Sequence, residues 1–396
     1  MLLVICLMWL MTVVNSAPKS CPTTVLFPDI VPTKGEPVYL IRTEDGNQKA
    51  FHPEGHKTTL KPGNSLQFYC PKEKRIETAN TSCKSNLARK EEKISCKGNV
   101  ASEVKETNRK CGKTGKLYIV TLPMPSNEFH TIYSTCFNKT TLNPIYSIHI
   151  LNGKSVGHHV KQERGNFKMG KNIYSNTNIN NLYKEHIEKF RGIFGPNQKF
   201  FQRPLYSLAR GHLTPEVDFA LGTEQHATEF YINTAPQFQV INQGNWLRVE
   251  KHVRDLAETL QDDVTVITGV LGILKLPNQN GEQKKIYLGD GVIPVPEIFW
   301  KIVLHEKSLS AIVFIGSNNP HLNSFPPICP NICNETTFGD GEKSKSQNFS
   351  DGKLGFIICC RLHDFLKKNS DILPDEENIK WRKYESVLGR KEGGIN

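Results

Sequence analysis

The chain has no long apolar run beyond its first 16 residues, MLLVICLMWLMTVVNS. The apolar part of that run is about 14 residues, short of the roughly 20 that cross a bilayer. This argues against a membrane protein. A basic segment ahead of the run is missing too, but Val14 and Ser16 precede Ala17 as a signal-peptidase site requires. A secretory signal over 1–16 is therefore expected, and an extracellular protein with no membrane partner. No internal repeat or long low-complexity tract occurs, which excludes a solenoid and a largely disordered chain. Acidic residues are in deficit, with 39 Asp+Glu against 50 Lys+Arg and a formal charge of +11. That balance disfavours cationic partners and favours polyanions such as nucleic acid, heparin-like glycans or anionic surfaces.

Cysteine is plentiful. Without the signal, ten remain, at 21, 70, 83, 96, 111, 136, 329, 333, 359 and 360. An even count after a secretion signal points to disulfides, whose connectivity spacing alone does not fix. The Cys329-x3-Cys333 spacing also suits zinc, a weaker reading in this compartment. The adjacent Cys359 and Cys360 are expected to bond to two separate partners. Sequons at Asn80, Asn138, Asn334 and Asn348 fit the secretory route.

Residues 17–115 hold half of these cysteines in a polar, Lys-rich context. Between Ala17 and Lys113 there are 18 Lys+Arg and 11 Asp+Glu, an excess of +7. Strand-like runs at Pro37–Arg42 and Ser65–Cys70 are punctuated by turn residues. A small Cys-rich basic β module is expected, with Lys72–Arg75 and Arg89-Lys90 as either a polyanion patch or solvated surface. From residue 116 the texture changes. Leu117–Leu122, Pro144–Leu151, Val264–Gly269, Ile293–Leu304 and Ser310–Gly316 read as strands. Residues 153–199 read as a long loop with a short helix around Asn181–Phe190. Few helices among many strands imply an α+β domain, 116–396, with a central mostly antiparallel sheet and a Cys-rich tail.

Two stretches carry chemistry. A β-biased run, Phe200–Leu208, leads into Leu208-Ala-Arg-Gly-His-Leu-Thr-Pro215. Residues two apart on a strand share a face, so Arg210 and His212 point the same way, and Gly211 between them lets a large ligand approach. Further on, Trp246, Val249, Val253, Leu256 and Leu260 repeat at helical spacing. Asn242 precedes them, and Glu250 and Arg254 lie at one edge of the apolar stripe. Asn242 reads either as a metal ligand or as a helix cap. Glu250 and Arg254 also suit an i,i+4 pair.

An Arg-Gly-His strand followed by Asn-Gln-Gly-Asn-Trp and a helical Glu resembles the DNA/RNA non-specific endonucleases of the Serratia type, which share a ββα-metal (His-Me finger) site. A Thr-Gly at 268–269, Val295-Pro296 and Lys301 extend the likeness over roughly 116–320. The layout is similar to secreted arthropod members, including salivary endonucleases of blood-feeding flies. The resemblance implies His212 as general base, Arg210 as a phosphate contact and Glu250 as the carboxylate ordering water around the metal, these three being the catalytic set. It implies Asn242 as the ligand of Mg²⁺, with Mn²⁺ as a substitute, and Asn233 and Arg254 as substrate-binding residues. Arg164 is a loosely aligned candidate for a further phosphate contact. DNA and RNA are the implied partners, through their phosphates, with host extracellular DNA a natural target of a salivary member. One departure stands out, since Ala209 occupies the place of the family's Asp. It leaves open a catalytically weak or inactive secreted nucleic-acid-binding protein on the same fold.

Overall fold

The structure, a computed structural model, describes residues 23–27, 29–79, 93–161, 165–174, 177–339, 349–374 and 379–391. The expected signal at 1–16, Cys21, Asn80, Cys83, Arg89-Lys90, Arg164 and Asn348 lie outside these residues.

The N-terminal part is built from short strands. β1 (Thr23–Leu26), β2 (Val38–Arg42), β3 (Gln48–Ala50), β4 (Lys57–Leu60), β5 (Ser65–Cys70) and β6 (Arg75–Thr78) form a β1–β4 pair and a four-stranded sheet in the order β3-β2-β5-β6. The expected runs at 37–42 and 65–70 are β2 and β5. A Cys70–Cys96 disulfide staples this module. Arg75, at the heart of the basic run, is occupied by Glu73, Glu77 and the carbonyl of Ser95. The module's core of Val25, Phe27, Tyr39, Phe51, Leu66 and Phe68 is completed by Val160, Ala220 and Leu221 from later in the chain.

The main sheet takes β7 (Glu103–Cys111), β8 (Gly115–Pro123), β9 (Phe129–Asn138) and β10 (Asn143–Asn152) as consecutive antiparallel neighbours. The chain then leaves the sheet through α1 (Ile179–Phe194), β11 (Leu208–His212), α2 (Gly222–Ala227), β12 (Thr234–Phe238), α3 (Gln239–Asn242) and α4 (Asn245–Leu260). It returns as β13 (Asp263–Leu271), which pairs with β10. After a small hairpin of β14 (Lys275–Pro277) and β15 (Gln283–Lys285), it adds β16 (Ile298–His305), β17 (Ser310–Ser317) and β18 (Ile357–Cys360). α5 (Leu362–Asn369) and β19 (Ser386–Val387) follow, β19 pairing parallel with β17.

The strands β16 and β17 are buried along their whole length. Both faces of the sheet are covered, so they read as continuous apolar runs rather than alternating ones. Phe299, Val303, Ile312 and Phe314 face α4 through Trp246, Val249 and Val253. Trp300, Ile302, Val313 and Ile315 face the other way, toward Phe365 of α5. The two-residue period of a strand divides one run between two cores.

Several expectations need correction. The boundary at 115/116 falls within the β7–β8 hairpin, because β7 is the edge strand of the main sheet and Cys111 bonds to Cys136 of β9. The run at 200–208 is not a strand. Pro204 and the packing of Phe201 against Phe190 and Phe238 hold it as a turn, and the strand is the motif itself. α1 is 16 residues, longer than the short helix expected, with Asn178 accepting from the Asn181 N–H as its cap. β16 begins five residues later than the run at 293 suggested. Cys329–Cys360 and Cys333–Cys359 pair as disulfides, which settles the zinc alternative against metal and gives the adjacent cysteines separate partners.

The shared hairpin makes a test. A chain beginning at Ala101 keeps β7 and Cys111, and one beginning at Thr114 loses both. Losing a native disulfide costs about 2–5 kcal/mol, so the shorter chain should melt about 5–15 °C lower in circular dichroism. Equal midpoints would show that the expected boundary was right.

Candidate active site

The hairpin β11–β12 and the helix α4 form a strand–strand–helix unit on the face of the main sheet. β11 pairs antiparallel with β12, setting Ala209 opposite Gln237, Gly211 opposite Ala235 and His212 opposite Thr234. A Cβ on Gly211 would lie 2.6 Å from the Gln237 Oε1 and 2.8 Å from its Cβ. Glycine is required here by contact with the neighbouring strand.

Arg210, His212, Asn242 and Glu250 all line one cleft of about 600 Å³, together with Phe167, Tyr183 and Arg203. Four of the six residues singled out from the sequence are therefore brought together. Arg210 is held firmly. Its Nη2 donates to Asn180 Oδ1 at 2.7 Å, and its guanidinium lies 4.9 Å from the Tyr183 ring, 5.3 Å from Phe167 and 5.5 Å from Tyr231. A cation framed by aromatic faces gains from the ring quadrupoles and keeps its charge available to a ligand. The His212 ring packs 5.2 Å from Phe167. Sequence reasoning missed Asn180 and the three aromatic rings. Asn180 and Tyr183 were signalled only by the helical pattern of α1, and Phe167 and Tyr231 converge on them from separate segments.

Asn242 ends the one-turn helix α3, and the N-cap of α4 is Gly244, without a side-chain bond. The capping alternative is thereby removed, and the Asn242 amide faces the cleft. Ala209 also borders the cleft, so strand alternation does not turn it fully away. Its cross-strand partner Gln237 is completely buried, with no hydrogen-bond partner for either amide atom among the described residues.

Asn233 and Arg254 do not line the cleft. Asn233 is fully buried. Its Oδ1 accepts from the Thr214 N–H at 2.9 Å, and its Nδ2 donates to the carbonyls of Thr214 and Thr228 at 2.8 and 3.0 Å. All its capacity goes into pinning the chain just past His212. Arg254 donates to Asp218 Oδ1 at 3.0 Å rather than pairing with Glu250. Both spend their polar groups on partners within the protein and stand outside the lining of the cleft.

Asp218 is the hub behind the cleft. Its Oδ2 accepts from His149 Nε2 of β10 at 2.9 Å. Burial pushes its carboxyl up, but His149, Arg254 and Lys301 outweigh that and hold it below the ordinary carboxylate range. Burial keeps His149 below the usual imidazole value, so it serves as a neutral donor. Lys301 is buried on β16, donates to Thr268 across the strand pair, and lies 5.6 Å from the Trp246 ring. Glu250 stands over this cluster. Burial raises its carboxyl to about 7, against the pull of Lys301 and Arg254 and with further push from Asp218. Positive charge brought close to such a carboxyl would favour its ionised form.

Comparison with known proteins places this geometry. A model of the DNA/RNA non-specific endonuclease family matches residues 113–348. The salivary endonuclease of Lutzomyia longipalpis is 50% identical over 93% of this chain and 89% of its own length. The salivary protein Tsal2A of Glossina morsitans morsitans is 26% identical over 86% of this chain and 89% of its own. The mitochondrial nuclease EXOG of Homo sapiens is 33% identical over 25% of this chain and 27% of its own.

The Glu250 environment predicts a pH dependence. Its folded value of about 7 lies above the ordinary value of 4.5. Stability from the protonated form is full below pH 4.5 and lost as pH rises through 7. In chelated, metal-free protein, Glu250→Gln should match wild type below pH 4.5 and become the more stable by on the order of 3 kcal/mol at pH 8. A stability difference that does not change with pH would mean that the carboxylate is already compensated.

Proposed function

The chain belongs to the DNA/RNA non-specific endonuclease family, and from that premise we propose a secreted, Mg²⁺-dependent endonuclease that cuts DNA, single- and double-stranded, and RNA to 5′-phosphorylated oligonucleotides. The observation that supports this reading most directly is the single cleft shared by Arg210, His212, Asn242 and Glu250. Cleavage needs a base for water, a cation for the phosphate charge and an in-line arrangement. His212 takes the proton from the attacking water, a task that suits a neutral imidazole. Arg210, pinned by Asn180 and its aromatic frame, holds a phosphate oxygen.

The donor set fits a hard cation with few protein ligands. The Asn242 amide oxygen would hold Mg²⁺, or Mn²⁺ in its place, and Glu250 would order the water around it. When bound, such a cation would supply positive charge to the phosphate. Contacts confined to the backbone carry little sequence information, which suits action on both sugars. The salivary relatives suggest release into saliva and host extracellular DNA as a target.

A weaker catalyst that mainly binds nucleic acid is the second reading. It is favoured by Ala209 and the unsatisfied Gln237 opposite it.

The full mature chain should nick covalently closed plasmid with Mg²⁺, and chelation should abolish the nicking. His212→Ala should lose about 10²–10⁴-fold in rate with binding retained, since affinity comes mainly from Lys and Arg contacts to phosphate. Arg210→Ala should damage both rate and affinity. Asn242→Ala should be partly rescued by more metal. A folded His212→Ala protein with near-wild-type cleavage would move the active site elsewhere. Ala209→Asp separates the two readings. A change below about tenfold fits a competent enzyme, and a gain of roughly a hundredfold or more would identify wild type as the weakened form.

A further inference from the structure

Away from the cleft, three side chains with metal-binding chemistry converge between the N-terminal module and the nuclease sheet. His52 follows the buried Phe51 just after β3, His130 is the second residue of β9, and Glu224 lies on α2. Their ligand atoms all lie within 4.8 Å of one another. His52 Nδ1 is 3.9 Å and His130 Nε2 3.8 Å from the same oxygen, Glu224 Oε1. The two imidazoles face each other at 5.5 Å between centroids. These nitrogen–oxygen separations are too long for hydrogen bonds, so the carboxylate is not satisfied by either ring. The three groups border a pocket of about 220 Å³ that also takes in Asn152, Asp263 and Ser155.

We propose that His52, His130 and Glu224 bind one Zn²⁺-class divalent cation that fastens the N-terminal module to the nuclease domain. Two neutral imidazoles and a carboxylate are the donor mixture that zinc accepts, while Mg²⁺ and Ca²⁺ prefer all-oxygen sites. Donors about 2.1 Å from a tetrahedral zinc stand roughly 3.4 Å apart, so the observed spacing closes with small side-chain movements. His52 is the freest to move, with a side chain 45% exposed. Water would take the fourth position, for which the pocket has room. The site is distinct from the catalytic cation's, since the two pockets share no lining residue.

The test titrates Co²⁺, a spectroscopic stand-in for zinc, and then Zn²⁺ itself into chelator-stripped, full-length mature protein. One equivalent should give the strong visible bands of a four-coordinate site, and Zn²⁺ should displace it. Zn²⁺ at about a hundredfold over its Kd should also raise the melting midpoint by several degrees. Asn242→Ala should leave both signals intact. His52→Asn and His130→Ala should each weaken binding at least tenfold and remove the melting shift. His52→Asn is exposed enough to fold, so it keeps the test decisive if His130→Ala does not. No four-coordinate Co²⁺ spectrum in wild type, or undiminished binding in folded His52→Asn, would overturn the proposal.

Discussion

Asp218 is the contact on which the site depends. Its two oxygens join β10 through His149 and α4 through Arg254, and its backbone belongs to the loop that follows the Arg-Gly-His strand. One buried carboxylate thus ties the sheet, the helix that carries Glu250 and the segment that carries His212. Removing one partner of such a pair leaves an uncompensated buried charge, at about 3–5 kcal/mol. The cluster around it alternates in sign, with Asp218 and Glu250 against Arg254 and Lys301. That alternation makes burial tolerable, and it leaves Glu250 as the least satisfied member, at the edge nearest solvent.

The hairpin is held by a second, neutral device. Asn233 spends both ends of its amide on the chain just beyond His212, and Thr234 sits opposite His212 in register. His212 is therefore set by backbone bonding on either side of it. Arg210 is oriented differently, by a side-chain oxygen and aromatic faces supplied from α1 and the segments at 167 and 231. His212 and Arg210 both lean on Phe167, while the rest of the Arg210 frame comes from α1 and Tyr231.

Much of this was legible in the sequence, for identifiable reasons. The Arg-x-His alternation, the 3–4 spacing of α4 and the runs at 117–122, 264–269 and 310–316 are local patterns, and each became the expected element. That Arg210, His212, Asn242 and Glu250 would come together was legible because they sit in local motifs. The bonding of Asn233 and Arg254 was not legible, because a polar residue near a motif does not reveal its partner within the fold. Their true partners, Thr214, Thr228 and Asp218, lie 5 to 36 residues away in sequence. Asn180, the aromatic frame and the role of Lys301 were hidden for the same reason. β7 and β9 went unread because β7 is polar and half-exposed at an edge, where alternation is weak.

The N-terminal module is bound more closely than a tethered domain would be. Its core borrows Val160, Ala220 and Leu221, buried Glu36 accepts the Gly222 N–H, and its chain runs on directly into the edge strand β7. Interfaces between loosely joined domains are generally more polar and leave relative motion as the default, whereas this one is continuous with an apolar core. Charge on the module is then held in a fixed orientation to the cleft, as part of one field rather than on a flexible arm. Arg75 shows that some of the excess is already neutralised within the module. The count of basic residues therefore overstates the charge that the module presents.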